Sequence, residues 1–233
     1  MSNKIIFNSK SNEDFSSMLS KFIPNPPPPR IIKKSVPGRS SSYDFSKVAS
    51  GEPVFDDRQL ECSLLIEGNS RADLNQKYSK ILSWLMSGGS ELLYSDDPGY
   101  QYIAQIEDKP QLEYINICNA LLTFSFTAKP YKEGVDLAGE LLWNNIDFNR
   151  DYIQTTKFDV SGSKTVTIYN PGDHMVSPKV VTNSSMSCSL NDYTAVFDEG
   201  KDTDWGFKLK VGANVITIVG TGNIDFQFRK EVL

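Results

Sequence analysis

The stretch RQLECSLLIEGNSRADLNQKYSKILSWLMSGG, Arg58 to Gly89, decides the fold class. From Arg58 to Glu67 apolar and polar residues alternate, with Leu60, Cys62, Leu64 and Ile66 on one face and Gln59, Glu61, Ser63 and Glu67 mainly on the other. A period of two over this length predicts a half-buried strand. Ser70-Arg-Ala-Asp73 follows, and the Ser70 hydroxyl can cap the backbone N–H three residues on. Leu74, Tyr78, Ile81, Leu82 and Leu85 then recur at helical spacing until Gly88-Gly89 ends the run. One amphipathic helix packed on a sheet is the expectation.

Downstream, Glu91 to Ser95 and Tyr100 to Glu107 read as strands around the turn Asp96-Asp97-Pro98-Gly99, and Leu122, Phe124 and Phe126 mark another that ends at Lys129-Pro130-Tyr131. The pattern lapses from Lys132 to Asn145, which places a domain boundary there: residues 1–135 form an α+β domain, residues 136–233 a second domain. In the second, short strands are expected at Gln154 to Val160, Lys164 to Tyr169, Lys179 to Thr182, Ser185 to Leu190, Thr194 to Phe197, Gly206 to Val211, Asn214 to Val219 and Ile224 to Arg229. Asn170-Pro171-Gly172, Ser177-Pro178, Asn191-Asp192, Gly212 and Gly220-Thr221-Gly222 punctuate them, the last read as a hairpin turn. The chain is therefore mainly β, with a C-terminal β-sandwich of jelly-roll type.

Upstream of the deciding stretch lies PNPPPPRIIKKSVPGRSSSYDF, Pro24 to Phe45. Four consecutive prolines, Pro26 to Pro29, lack N–H donors and favour a stiff polyproline II spacer. Ile31 to Val36 then has β-forming residues interrupted by Lys33 and Lys34, the composition of an exposed edge strand. Pro37-Gly38 fits the centre of a type II turn. The segment reads as an extended arm, turned at its tip, that lies on something else.

Composition narrows the function. A chain of 233 residues buries roughly 70 to 75% of its unfolded surface and needs no metal or disulfide staple. A net charge of −5 argues against broad binding to nucleic acid or anionic membrane, since both need a basic face. No apolar run approaches the ~18 to 20 residues of a membrane span, and the N-terminus lacks the apolar core of a signal peptide, so assembly in the cytoplasm is expected. Cys62, Cys118 and Cys188 are odd in number and lack CxxC spacing; they read as reduced, small core residues.

Candidate catalytic and metal sites are weak. His174 is the one histidine of the chain, in the turn Gly172-Asp173-His174, and without a nucleophile elbow it reads as a solvated turn residue. Asp96 and Asp97 before Pro-Gly are turn formers rather than an acid–base pair. Asp198, Glu199, Asp202 and Asp204 miss calcium-loop spacing and read as a solvated acidic loop, with Trp205 beside them as a core cap. Gly220-Thr221-Gly222 lacks the third glycine of a nucleotide fingerprint. Neither catalytic residue, cofactor nor metal is assigned.

Several features occur in a telling order: Phe7 with Glu13-Asp14-Phe15, the arm with Val36-Pro37-Gly38-Arg39, the strand and capped helix, Asp96-Asp97-Pro98-Gly99 before an alternating strand, and Phe124 to Lys129-Pro130-Tyr131-Lys132. Together they resemble the distal tail protein family of long-tailed phages of Gram-positive bacteria. Asn170-Pro171-Gly172, Ser177-Pro178 and Gly212 to Ile218 likewise resemble the galectin-like or carbohydrate-module-like sandwich of such proteins. The chain departs from the family in the length of its proline run and in Ser40-Ser41-Ser42, where Asp-Gly is frequent.

The resemblance implies a virion protein of the phage tail tip, not an enzyme. Its first domain would close into a homo-hexameric ring, with the belt residues Ile31, Ile32, Val36, Pro37, Gly38, Arg39, Tyr43 and Phe45 laid on the neighbouring subunit. The ring would be a baseplate hub joining the tail tube protein, the tape-measure protein and a tail-associated lysin or fibre, with DNA crossing its lumen ungripped. The alternative reading is a host-attachment protein whose sandwich binds a cell-wall saccharide. A wall hydrolase is disfavoured by the absence of a catalytic constellation.

Overall fold

A computed structural model describes residues 3–48, 51–143, 146, 148 and 151–233. The chain divides into two compact units, residues 1–132 with Leu233, and residues 133–232. Strands dominate both, so the fold is mainly β. Among the described residues no helix is long and apolar enough to cross a membrane.

In the first unit the strands are β1 (Ile5–Phe7), β2 (Lys10–Ser11), β3 (Ser17–Pro24), β4 (Lys33–Lys34), β5 (Tyr43–Asp44), β6 (Arg58–Glu67), β7 (Ser90–Tyr94), β8 (Tyr100–Ile106), β9 (Gln111–Tyr114) and β10 (Asn119–Ala128). The main sheet runs β2-β1-β7-β8-β10-β6-β3, with β9 also on β10. The alternating stretch is β6, paired antiparallel along its whole length with β10 so that Cys62 faces Phe124 and Leu64 faces Leu122. Leu60, Cys62, Leu64 and Ile66 are fully buried, which puts the expected face in the core. The helix α1 (Arg71–Leu85) starts where the cap requires: the Ser70 hydroxyl accepts from the Asp73 amide at 3.2 Å. Leu74, Ile81 and Leu85 enter the same core as β6, together with Trp84. Trp84 satisfies its indole N–H by donating to the Phe7 carbonyl at 2.8 Å, and its ring stacks on Phe15.

Glu13-Asp14-Phe15 belongs to a 3-10 turn, Asn12–Phe15, held by a capping box in which Asp14 accepts from the Ser11 amide. Four strands of this unit escape a periodicity reading. β1 and β2 are too short to show a period, and β3 carries a bulge between Leu19 and Lys21 that shifts its register on β6 and breaks the alternation. β9, four residues long, is also short.

The second unit holds β12 (Lys157–Asn170), β13 (Lys179–Thr182), β14 (Met186–Leu190), β15 (Tyr193–Phe197), β16 (Gly200–Asp202) and β17 (Gly212–Gln227). The short strands β11 (Lys132–Gly134) and β18 (Glu231–Val232) precede and follow them. The path β15-β14-β17-β13-β16, with β12 on the other edge of β17, differs from the expected list in a specific way. The expected strands before and after Gly162 are one strand, β12, and those before and after Gly220-Thr221-Gly222 are one strand, β17. The glycines are not a hairpin turn. β17 runs through them and exchanges partners there: Val219 pairs with Ser187 of β14, Ile224 with Thr182 of β13.

Side-chain parity explains how this ribbon makes a core. Ile216, Ile218, Ile224 and Phe226 are buried, all at even positions on both sides of the glycines, as are Val160, Val166 and Ile168 of the paired β12. A strand that keeps one face inward on both sides of a partner exchange wraps a single core. The glycines lie at the exchange because a Cβ on Gly222 would stand 2.2 Å from Asn183 Oδ1 and 2.7 Å from Ser184 Oγ. Gly206 to Val211 forms no strand beyond the bridge between Leu209 and Val176.

Two core assignments need correction. Trp205 is 77% exposed and caps nothing. Asp204 accepts from the Tyr193 hydroxyl and the Gly206 amide, Gly206 sits against the Tyr193 ring, and it is Phe207 that enters the core. Cys118 is exposed in the turn between β9 and β10, whereas Cys62 and Cys188 are buried. Burial pushes the Cys62 thiol well above its usual range and Cys188 up to about 12. Since the thiolate is the reacting form, a native thiol titration is expected to count one group, Cys118, and a titration in denaturant three. Three rapid equivalents from the folded protein would contradict this packing.

Candidate functional site

The arm is built as a ladder from its root. It leaves the edge strand β3 at Pro24, and Asn25 donates its amide to the Gln59 carbonyl. The proline run cannot donate, so it accepts instead: the Pro28 carbonyl takes the Asp56 amide at 2.9 Å, and Pro29 bridges to Phe55. Arg30 donates its amide to Val54 at 2.8 Å and its guanidinium holds the Asp56 carboxylate at 2.5 Å. Both groups of that ion pair are about half exposed, so the pair contributes orientation more than stability.

Beyond the root, β4 and β5 pair antiparallel, Lys33 with Asp44 and Lys34 with Tyr43, as a two-stranded sheet separate from the others. Only Lys33–Lys34 of the expected strand Ile31 to Val36 lies in this ladder; Ile32 instead exchanges bonds with Phe45 and Ser46 at its edge. Gly38 adopts a φ of +83° and Arg39 donates its amide to Val36 at 3.2 Å, closing the turn at the tip. The Arg39 guanidinium lies 4.0 Å from the centre of the Tyr43 ring, and Tyr43 in turn lies near Phe45. Asp44 accepts from the amide and hydroxyl of Ser46, which hold its carboxyl below the usual carboxylate range.

The side chains of this arm have no apolar cover of their own. Ile31 is 60% exposed and Ile32 52%, and Val36, Pro37, Gly38, Arg39, Tyr43 and Phe45 are all exposed as well. A two-stranded ribbon with apolar residues in water is marginal by itself. The structure thus gathers the residues that the resemblance assigns to a belt into one exposed hairpin.

The other sequence candidates are occupied with local work. Asp96 accepts from Tyr94 and Ser95, and Asp97 holds Lys132 Nζ at 2.6 Å. Asp198 accepts from the Ser185 hydroxyl. His174 is half-buried rather than solvated, and its carbonyl accepts from the Asn170 amide group. Among the described residues no His, Cys, Asp and Glu cluster has the makings of a metal site. Periodicity missed one chemically distinctive group, the buried Arg58 at the arm's root, because a charged residue opening a strand carries no pattern of its own.

No protein-family model matches the chain, and no curated protein matches it in sequence. Among solved structures the fold is similar, with a TM-score of 0.69 at 13% identity and with 100% of each chain covered, to the SPP1 Dit (gp 19.1) protein, described as a paradigm of the hub adsorption apparatus in Gram-positive-infecting phages. The likeness read from the order of short sequence features is therefore a likeness of fold along the whole chain, and the chain has the fold of that Dit protein.

Proposed function

We propose that this protein is a non-enzymatic structural component of a phage tail tip, a baseplate hub built as a homo-hexameric ring. The full-length fold similarity to the SPP1 hub protein carries the reading. The exposed apolar hairpin supports it, since the arm needs a partner surface and a neighbouring copy in a closed ring supplies one without leaving a free edge. In this reading residues 1–135 form the ring, residues 136–233 form a β-sandwich, and the partners are the tail tube protein, the tape-measure protein and a tail-associated lysin or fibre. DNA crosses the lumen, for which a net charge of −5 suits passage better than retention.

Native mass spectrometry of the purified chain is expected to show a six-subunit species that gains population with concentration. Monomer alone across all salt conditions would overturn the ring.

A second reading, host attachment through a cell-wall saccharide, is favoured by one observation. Trp205 presents its ring to solvent beside the turn fixed by Asp204, and an exposed indole is a stacking platform for a sugar ring. Glycan-array binding lost on Trp205→Ala would establish that reading; an array without binding would remove it.

A further inference from the structure

We infer that the apolar face of the arm docks on a second copy of the chain, against an apolar stripe with acidic flanks on the open face of the main sheet. The hub reading supplies the partner, a neighbouring copy; the receiving surface follows from the register of the strands. Met18 of β3 pairs with Leu65 of β6, Leu65 with Leu121 of β10, and Leu121 with Glu113 of β9. Residues directly opposite one another share a face, and this row points away from the core. Its neighbours Leu64 and Leu122 are fully buried, whereas Met18 is 59% exposed and Leu65 and Leu121 are half-buried. Beside the row, Ile115 donates its amide to the Asn119 carbonyl, opposite Glu67, and is exposed as well. Met18, Leu65, Leu121 and Ile115 thus form a stripe flanked by Glu67 and Glu113. The cations nearby hold other groups, Lys21 the Glu61 carboxylate and Lys77 the Asp73 carboxylate, so neither flanking glutamate has an ion-pair partner among the described residues.

The hairpin has the complementary face. Lys34 pairs with Tyr43, and one step towards the root Phe45 donates its amide to the Ile32 carbonyl, so Ile32, Lys34, Tyr43 and Phe45 lie on one side of the ribbon. The Arg39 guanidinium, over the Tyr43 ring, adds a second cation to that side. Arg30, Lys33, Lys34, Arg39 and Lys47 face the single anion Asp44 within the arm, in a chain of net charge −5. Apolar residues with two cations therefore meet apolar residues with two anions, the arrangement that both attracts and fixes register. The sizes agree: the stripe crosses four strands, about 14 Å, and Ile32 to Val36 spans about 13 Å in extended form. Other pairings fail on charge. Stripe against stripe opposes Glu67 and Glu113 with their own kind, and arm against arm opposes Lys34 and Arg39.

Two experiments on the full chain test the docking. In the first, Ser42→Cys/Cys118→Ser is mixed with the unmodified chain, treated with a short bismaleimide and digested. Cys118 is exposed in the turn beside Ile115 and Ile117, and Cys62 and Cys188 are buried. A link between residue 42 and Cys118, which in this mixture joins only different chains, is the expected product. In the second, sedimentation velocity is expected to show ring association weakened about tenfold or more by Glu113→Lys and by Lys34→Glu singly, and restored to within about threefold of the parent in the double variant. Should Glu113→Lys fail to fold, the cross-link and Lys34→Glu decide. A parent chain that forms rings without the 42–118 link overturns the receiving surface and leaves the hub reading standing. The link in a parent that associates without closing a six-subunit ring upholds the docking and overturns the ring. A parent that stays monomeric at every concentration, without the link, overturns both.

Discussion

Deleting Ile31 to Arg39 is expected to leave a chain that melts cooperatively and no longer forms rings. The hairpin can be removed because the core of its unit lies elsewhere: Leu60, Leu64 and Ile66 of β6, Leu74 and Ile81 of α1, and Phe124 and Phe126 of β10 pack together without a residue of the arm. The ladder at the root, Pro28 with Asp56 and Arg30 with Val54, also stays outside the deletion. The loss falls on association. Ile31, Ile32 and Val36 are 60%, 52% and 44% exposed in the isolated chain, so each contributes roughly half of the 1.5 to 3 kcal/mol of a full burial if a neighbour covers it. At about tenfold per 1.4 kcal/mol, losing all three weakens each interface by at least about fortyfold, before any main-chain pairing is counted. Circular dichroism melting reads the fold and sedimentation velocity reads the assembly. A deletion variant that still sediments as a ring would show that the arm is not the belt, and one that fails to fold would place these residues in their own unit's core.

Gly222→Ala is expected to destabilise the second unit by about 2 to 5 kcal/mol, against about 1 to 2 kcal/mol for Gly162→Ala. Both glycines have positive φ, +141° and +83°, so both substitutions strain the backbone. Only Gly222 is also crowded. Its new methyl would displace Asn183 Oδ1, which accepts the Asn223 amide at 2.8 Å, and Ser184 Oγ, which donates to the Thr221 carbonyl at 2.6 Å. Nothing lies within 4 Å of the position a Cβ on Gly162 would take. Urea unfolding of the full chain, followed through the transition of the second unit, separates the two. Equal losses for both variants would show that Gly222 answers only to backbone conformation, as in a turn, and would remove the partner exchange as the reason for the glycine.

The extent to which the chain could be read before folding follows from the range of the physics involved. Where one segment contains its own cause, its structure is legible in the sequence. The alternation of β6 names its buried face, since a strand beside a core has no other way to place side chains of period two. Ser70 caps α1 from three residues away, and Pro37-Gly38 turn the arm with their own dihedral preferences. The exposure of the arm's apolar run is legible for the same reason, because a two-stranded ribbon this short cannot bury its own side chains. Where the cause sits on another segment, the sequence is silent or misleading. Gly220-Thr221-Gly222 has the composition of a turn, and only the approach of Asn183 and Ser184 makes it the middle of β17. Trp205 and Cys118 have core-like side chains, yet a neighbouring turn decides that they face water. Arg58 carries no periodic signal, and its burial becomes visible only when Tyr102, Phe55 and the prolines close around it. Local dihedral and hydrogen-bonding preferences are encoded within a few residues, whereas crowding and desolvation are properties of what the fold brings alongside.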